Sequence, residues 1–161
     1  MRYILGIDPG LSGGLSIIDE NLNFIACYPM PIVKGLDGKN KVCARSVRDI
    51  LIKHSPALVA VEKVGARPGQ GVVSMFSFGE AYGTVKALAE AYCAHVTTPT
   101  PQQWRGNQSL SGLSKEQIAE VAFEVFHVEQ IYGKPRAGKR AVRDGISDSL
   151  MIAKYSIRFL E

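Results

Sequence analysis

Tyr3-Ile4-Leu5-Gly6-Ile7-Asp8-Pro9-Gly10 lies at the start of this chain. A short apolar run that ends in an acid and a Pro-Gly pair predicts a buried strand closing in a turn, with Asp8 at the strand's end. Gly13 to Ile18 predicts a second strand, Asp19-Glu20-Asn21 a turn, and Leu22 to Tyr28 a third strand, together an antiparallel meander. Leu58-Val59-Ala60-Val61-Glu62 repeats the opening pattern of an apolar run followed by an acid.

The rest of the chain alternates. Pro29 to Lys41, with two prolines, two glycines and three lysines, predicts a mobile loop. Val42 to His54 has apolar residues at Val42, Val47, Ile50 and Leu51, an approximate helical period. A flexible basic loop follows Glu62, then a helix from about Val73 to Tyr92, a fifth strand over His95 to Thr98, and a polar loop from Pro99 to Gly112. Ser114-Lys115-Glu116-Gln117 fits a capping box opening a helix that runs to about Phe126. A basic segment from Gly133 to Arg143 leads into a last helix starting near Asp144. The expected class is α/β: a mixed five-stranded sheet, antiparallel meander plus parallel strands, flanked by helices. At 161 residues, one domain over 1–161 is expected.

Hydrophobic residues make up 46% and charged residues 21%, which excludes global disorder. The net charge of +4 suits a polyanionic partner. Cys27, Cys43 and Cys93 are widely spaced without a Cys-x-x-Cys pair, so reduced thiols are expected and neither a zinc site nor a disulfide framework. His54, His95 and His127 are scattered and take no metal role. No apolar stretch approaches the ~20 residues that span a bilayer, and the opening run to Asp8 is too short for a signal-peptide apolar region. The expectation is an intracellular protein, of a bacterial or phage-infected cell or an organelle interior, with neither a membrane nor a small-molecule cofactor as partner.

Asp8 and Glu62 end two strands, and Asp144 and Asp148 stand four apart at the start of the last helix. Four residues advance about 400° around a helix, so both aspartates share a face. Each acid alone has a plain structural explanation: a turn, a strand exit, a helix N-terminus. In a mixed sheet, strand ends and helix starts meet at one crevice, which would bring all four together. Oxygen-only carboxylate clusters hold hard cations, Mg²⁺ or Mn²⁺. Two such ions about 3.5–4 Å apart can clamp the attacking and leaving oxygens of a phosphodiester. Asp8 would bridge the two, Glu62 and Asp148 would complete the separate ions, and Asp144 would complete the helix-side site. Water activated by the cation would attack, so activity is expected to rise between about pH 6 and 9.

Five stretches are similar, in order, to the RuvC-type Holliday junction resolvases of the ribonuclease H superfamily: Ile4-Leu5-Gly6-Ile7-Asp8-Pro9-Gly10; Val59-Ala60-Val61-Glu62; Phe78-Gly79-Glu80-Ala81-Tyr82-Gly83; Leu113-Ser114-Lys115-Glu116-Gln117-Ile118; and Asp148-Ser149-Leu150-Met151-Ile152-Ala153. The resemblance implies a ribonuclease H-like fold and a metal-dependent homodimer making symmetric cuts in four-way DNA junctions. It carries over Asp8, Glu62 and Asp148 as metal-binding catalytic residues, with Lys115 near the scissile phosphate. Bacterial cellular members place their last two acids three apart; here position 145 is Gly and the partner acid, Asp144, is four back. Asp144-Gly145-Ile146-Ser147-Asp148 and Pro101-Gln102-Gln103-Trp104 look closer to the phage and chloroplast branch.

Family members place an aromatic at the junction centre from the loop after the second acid. Lys63 to Gly71 holds no aromatic, and Arg67 could stack by its guanidinium plane instead. Arg105 is a candidate backbone contact. Lys134, Arg136, Lys139, Arg140 and Arg143, five cations in ten residues, would track phosphates. The family's dimer helix corresponds to the one carrying Phe76, Gly79, Tyr82 and Gly83, where glycines four apart suit a close helix crossing. Other readings remain open: a related nuclease acting on RNA–DNA hybrid or duplex, a non-catalytic junction-binding protein, and an actin-like or sugar-kinase ATPase, for which one domain of this size is too small.

Overall fold

The computed structural model describes residues 1–66 and 68–160. Its main sheet has five strands: β1 (Tyr3–Asp8), β2 (Gly14–Asp19), β3 (Phe24–Pro29), β6 (Leu58–Val61) and the two-residue β7 (Val96–Thr97). The spatial order is β3-β2-β1-β6-β7. β1, β2 and β3 pair antiparallel, whereas β6 joins β1 in parallel and β7 joins β6 in parallel. This is the expected mixed, ribonuclease H-like sheet, and alternation along its strands divides the core in two. Ile4, Ile18, Leu58 and Ala60 point to one face, and Leu5, Ile7, Leu15, Ile17, Val59 and Val61 to the other.

Helices cover both faces. α1 (Ala44–His54) and α2 (Val72–Tyr92) lie over the second set, through Val47, Ile50, Leu51, Val85 and Ala89. α4 (Lys115–Phe126) and α5 (Asp144–Ser156) lie over the first, through Ile118, Ala122, Leu150 and Ala153. The expected capping box at the head of α4 is present: Gln117 N–H donates to the Ser114 hydroxyl at 3.2 Å, and Ser114 N–H donates to Gln117 Oε1 at 2.9 Å. Such a cap is worth about 1 kcal/mol.

Two segments expected as loops, and the basic segment before the last helix, contain regular structure. Pro29 to Lys41 contains most of a hairpin, β4 (Ile32–Lys34) with β5 (Asn40–Val42). Pro99 to Gly112 contains α3 (Pro101–Gly106). Gly133 to Val142 falls in a second hairpin, β8 (Tyr132–Arg136) with β9 (Lys139–Val142), and Arg143 joins it to α5. Among the described residues, no helix is long and apolar enough to cross a membrane.

α5 sits unusually close to the sheet because of glycine. A Cβ on Gly6 would stand 2.1 Å from the Ser149 carbonyl oxygen, and one on Gly145 2.3 Å from the Gly13 carbonyl carbon. A buried hydroxyl pair locks the contact, Ser16 Oγ to Ser149 Oγ at 2.6 Å, with Ser149 also donating to the Ile146 carbonyl at 3.0 Å. The start of α5 is thereby pinned against the carboxyl end of β1.

Candidate active site

The parallel register of β1 and β6 sets Ile7 opposite Val61. Glu62 N–H extends that ladder to the Ile7 carbonyl at 3.0 Å, so Asp8 and Glu62 leave the sheet side by side. Asp144 is the first residue of α5 and Asp148 lies one turn in. The four expected acids therefore meet at one edge, and they interact electrostatically.

The Asp8 carboxyl is pushed up to about 7, by burial first, then by the charges of Glu62 and Asp148, with Asp144 adding least. The Gly10 N–H, at 3.5 Å from Asp8 Oδ1, opposes this weakly. Asp148 is also pushed up to about 7, chiefly by burial and further by Glu62 and Asp144; Arg105 and Lys115 oppose the rise. Two carboxylates largely withdrawn from water and repelled by their neighbours are unfavourable as anions.

Side chains engage three of the acids. Lys115, in the first turn of α4, makes a short ion pair with Asp144, which holds the ammonium's pKa above its usual range. The Lys115 side chain is 72% exposed, so water screens this pair. Arg105 stands 3.6 Å from Asp148, an ion pair longer than a hydrogen bond, and stacks over the Trp104 ring at 4.9 Å. Trp104, fully buried, donates its indole N–H to Glu62 Oε1 at 2.9 Å. Among the described residues, no three carboxylate, thiol or imidazole groups stand ready to hold one metal ion as the side chains are placed.

The donor set nevertheless suits a hard divalent cation. All four groups offer oxygen, two are largely withdrawn from water, and added positive charge would relieve the repulsion that raises Asp8 and Asp148.

Trp104 was not expected at the site. The signal was present: Thr100-Pro101-Gln102-Gln103 is a capping box with Pro at the first helical position, and the structure has both of its hydrogen bonds. It marks α3, and α3 presents Trp104 and Arg105 to Glu62 and Asp148.

Two depressions flank the acids. One, of about 410 Å³, lies between Glu62, the Lys63–Ala66 segment and the start of α3. The other, of about 510 Å³, runs from Asp8 and Asp144 past Ser12 and Ser77 to Lys39. Phe78 lines both.

The other expected residues divide. Lys134 and Lys139 of the β8–β9 hairpin and Arg143, at the head of α5, line one depression of about 350 Å³. Arg140 instead pairs with Glu129 at 2.9 Å and lies over the Tyr132 ring, so it serves the hairpin's own structure. Arg136 is a β8 residue, and Arg67 lies outside the described residues. On α2, Phe76 is 78% exposed, and a Cβ on Gly79 or Gly83 would meet open space. Tyr82, by contrast, packs partly against this chain's own core.

The sheet order and the helices on both faces define a ribonuclease H-like fold with four acids at one edge of its sheet. Residues 4–153 match the family model described as crossover junction endodeoxyribonuclease RuvC, and the chain belongs to that family. The crossover junction endodeoxyribonuclease RuvC of Paenarthrobacter aurescens (strain TC1) is 27% identical over 134 residues, covering 78% of this chain and 70% of that protein. Among solved structures, Thermus thermophilus RuvC in complex with Holliday junction substrate matches with a TM-score of 0.64 at 21% identity, covering 99% of this chain and 96% of that one. The yeast mitochondrial Holliday junction resolvase Ydc2 matches with a TM-score of 0.52 at 17% identity, covering 98% and 78%. At those identities the two structures share the fold.

Proposed function

We propose that this chain is the subunit of a homodimeric, divalent-cation-dependent endonuclease that makes paired, symmetric cuts in four-way DNA junctions. The observation that carries this is the meeting of Asp8, Glu62, Asp144 and Asp148 at one sheet edge in a RuvC-family chain.

Asp8, Glu62, Asp144 and Asp148 would hold Mg²⁺, or Mn²⁺, which when bound activates water and neutralises charge on the phosphate. Asp8 ends the central strand, between the Glu62 and α5 sides, which favours it as the shared ligand. Trp104 holds Glu62 through its Oε1 at the crevice edge. Lys115 reaches over the acids from a solvent-exposed position, where it can turn from Asp144 to a phosphate oxygen and steady its developing charge. Arg105 is placed to do the same beside Asp148. No protein nucleophile is required.

The exposed Phe76 and the open faces of Gly79 and Gly83 support α2 as the dimer surface. A two-fold dimer would present one site to each of two symmetric strands. Lys134, Lys139 and Arg143 would follow a DNA backbone, and Arg67 would supply stacking at the junction centre. The four-residue spacing of Asp144 and Asp148 favours a place near the phage and chloroplast branch, and so a phage-infected cell or an organelle as the setting.

The test is cleavage of a labelled synthetic four-way junction in Mg²⁺, with linear duplex and RNA–DNA hybrid alongside and Asp148→Asn as control. Paired cuts in the junction alone, lost in the variant, are expected. Cutting of hybrid or duplex instead would move the chain to another nuclease activity, and binding without cutting would leave a junction-binding protein.

A further inference from the structure

We infer that the β4–β5 hairpin is a DNA-backbone clamp, with Lys39 as the phosphate contact at the far end of the groove that begins at Asp8 and Asp144. The inference rests on the junction-nuclease reading above and adds a binding site to it.

The hairpin's geometry fixes which lysine faces the groove. Residues directly opposite in an antiparallel pair share a face, and successive residues alternate. Lys34 lies opposite Asn40, and Val33 opposite Lys41. Gly35 N–H bonds the Lys39 carbonyl at 2.8 Å, which carries the pairing one step further. Lys39 and Lys41 therefore share a face, and Lys34 is on the other. The Lys39 and Lys41 face is turned toward α2. Lys41 approaches Glu80 at 3.6 Å, and Lys39 lines the groove with Ser74 and Ser77.

The groove's chemistry selects the ligand. Its polar side chains besides the two acids are the hydroxyls of Ser12, Ser74 and Ser77 and the Lys39 ammonium. Hydroxyls and lysine are backbone-contacting groups; the groove lacks Asn, Gln and Arg, the usual partners of base edges, among its described lining residues. A sugar–phosphate strand fits this lining without regard to sequence.

Charge balance gives Lys39 its role. A polyanionic strand crossing four carboxylates needs positive charge on both flanks. On the α3 and α4 side, Lys115 and Arg105 supply it, each beside an acid. On the α2 side, Lys39 is the one cation among the described lining residues, and its ammonium has no ion-pair partner among the described residues.

The test is junction binding by Lys39→Ala, Lys39→Arg and Lys34→Ala as a function of salt, with cleavage measured on the same preparations. Lys39→Ala should bind several-fold more weakly at about 0.1 M salt and lower the magnitude of the log–log salt slope by about 0.7–0.9, the release expected for one phosphate contact. Lys39→Arg should restore the slope, and Lys34→Ala, on the opposite face, should leave it unchanged. Lys34→Ala should cut junctions as the unaltered protein does, and Lys39→Ala should need several-fold more junction for half-maximal cleavage. Equal effects of the two alanine variants, or no change in slope with Lys39→Ala, would overturn the clamp. So would lost cleavage with unchanged binding, because Lys39 would then act in the chemistry. If the unaltered protein binds but does not cut junctions while the Lys39 effect persists, the resolvase reading falls and the clamp stands. Normal cutting without a Lys39 effect gives the reverse result, and a chain that binds no DNA overturns both.

Discussion

The buried indole N–H of Trp104 donates to Glu62 Oε1 at 2.9 Å, across 42 positions of sequence. A buried indole N–H needs an acceptor, and this one uses a carboxylate of the candidate metal site. The bond fixes the Glu62 rotamer before any cation or DNA arrives. Trp104→Phe keeps an aromatic ring and removes the donor. A hydrogen bond to a charged group is worth about 1.5–3 kcal/mol, so the variant should need on the order of tenfold more Mg²⁺ for half-maximal cleavage. A Mg²⁺ titration of rate, with circular dichroism to confirm folding, measures this. An unchanged Mg²⁺ requirement would show that Glu62 does not depend on the indole.

Asp8 and Asp148 imply a pH-dependent conflict between stability and function. Both carboxyls lie near 7 in the folded chain against an ordinary 3.8. Below about pH 4 each is protonated whether the chain is folded or not. From there to about 7 the folded chain holds more protons than the unfolded one, so stability falls as pH rises, and above 7 the loss is complete. Cation-free protein should therefore melt on the order of 5–10 °C lower at pH 8 than at pH 5.5 from these groups. Asp148→Asn should remove part of that difference, and Mg²⁺ at pH 8 should reverse it. The same protons compete with the cation, so the Mg²⁺ requirement for cleavage should rise as pH drops below about 7. Thermal melts in chelator across pH, repeated with Mg²⁺, check both statements.

Gly145 explains the four-residue spacing of the last two acids. A Cβ there would sit 2.3 Å from the Gly13 carbonyl carbon and 2.6 Å from its Cα, backbone atoms that cannot turn aside. An acid three residues before Asp148 would have to occupy this position, and the tight packing of α5 on the β1–β2 turn forbids it. Gly145→Ala should cost about 1–3 kcal/mol by overpacking, and it should shift Asp144 and Asp148 enough to weaken Mg²⁺ binding. Urea unfolding and Mg²⁺ calorimetry provide the measurement. Wild-type values for Gly145→Ala or Gly145→Asp would mean that the helix can lift off without consequence.

The elements that carry the acids were legible because each has a strong local signal. β1 and β6 are apolar runs ended by an acid, and α5 starts at a change from basic to apolar composition. The two hairpins were not legible. β4 and β5 are three residues each and mostly exposed, with Lys and Gly around them, so they lack a buried face to impose a period of two. In β8, Pro135 sits where the pairing shifts register, and proline within a run argues against a strand. α3 is one and a half turns long and shows itself only by its cap. The approach of Trp104 to Glu62 depends on how α3 packs, which no local pattern encodes. Arg140 illustrates the same limit: its position among five cations suggested phosphate, and its partners Glu129 and Tyr132 became visible only in three dimensions.

That division of the basic hairpin yields a prediction separating structure from binding. Lys134, Lys139 and Arg143 converge on one depression, whereas Arg140 is held by Glu129 at 2.9 Å on an exposed surface. If the hairpin follows a DNA backbone, the three converging cations should contribute to counterion release and Arg140 should not. Changing Lys134, Lys139 and Arg143 together to alanine should lower the magnitude of the salt slope of junction binding by about 2–3, at roughly 0.7–0.9 per phosphate. Arg140→Ala should change the slope by less than about 0.3, well under the release expected for one phosphate. The loss should be similar for junctions of different sequence, since phosphate contacts carry no base information. Fluorescence anisotropy of labelled junctions between about 50 and 200 mM salt resolves these slopes. A larger effect from Arg140 than from the other three would mean that the Glu129 pair opens on binding and that the DNA lies on the opposite face of the hairpin.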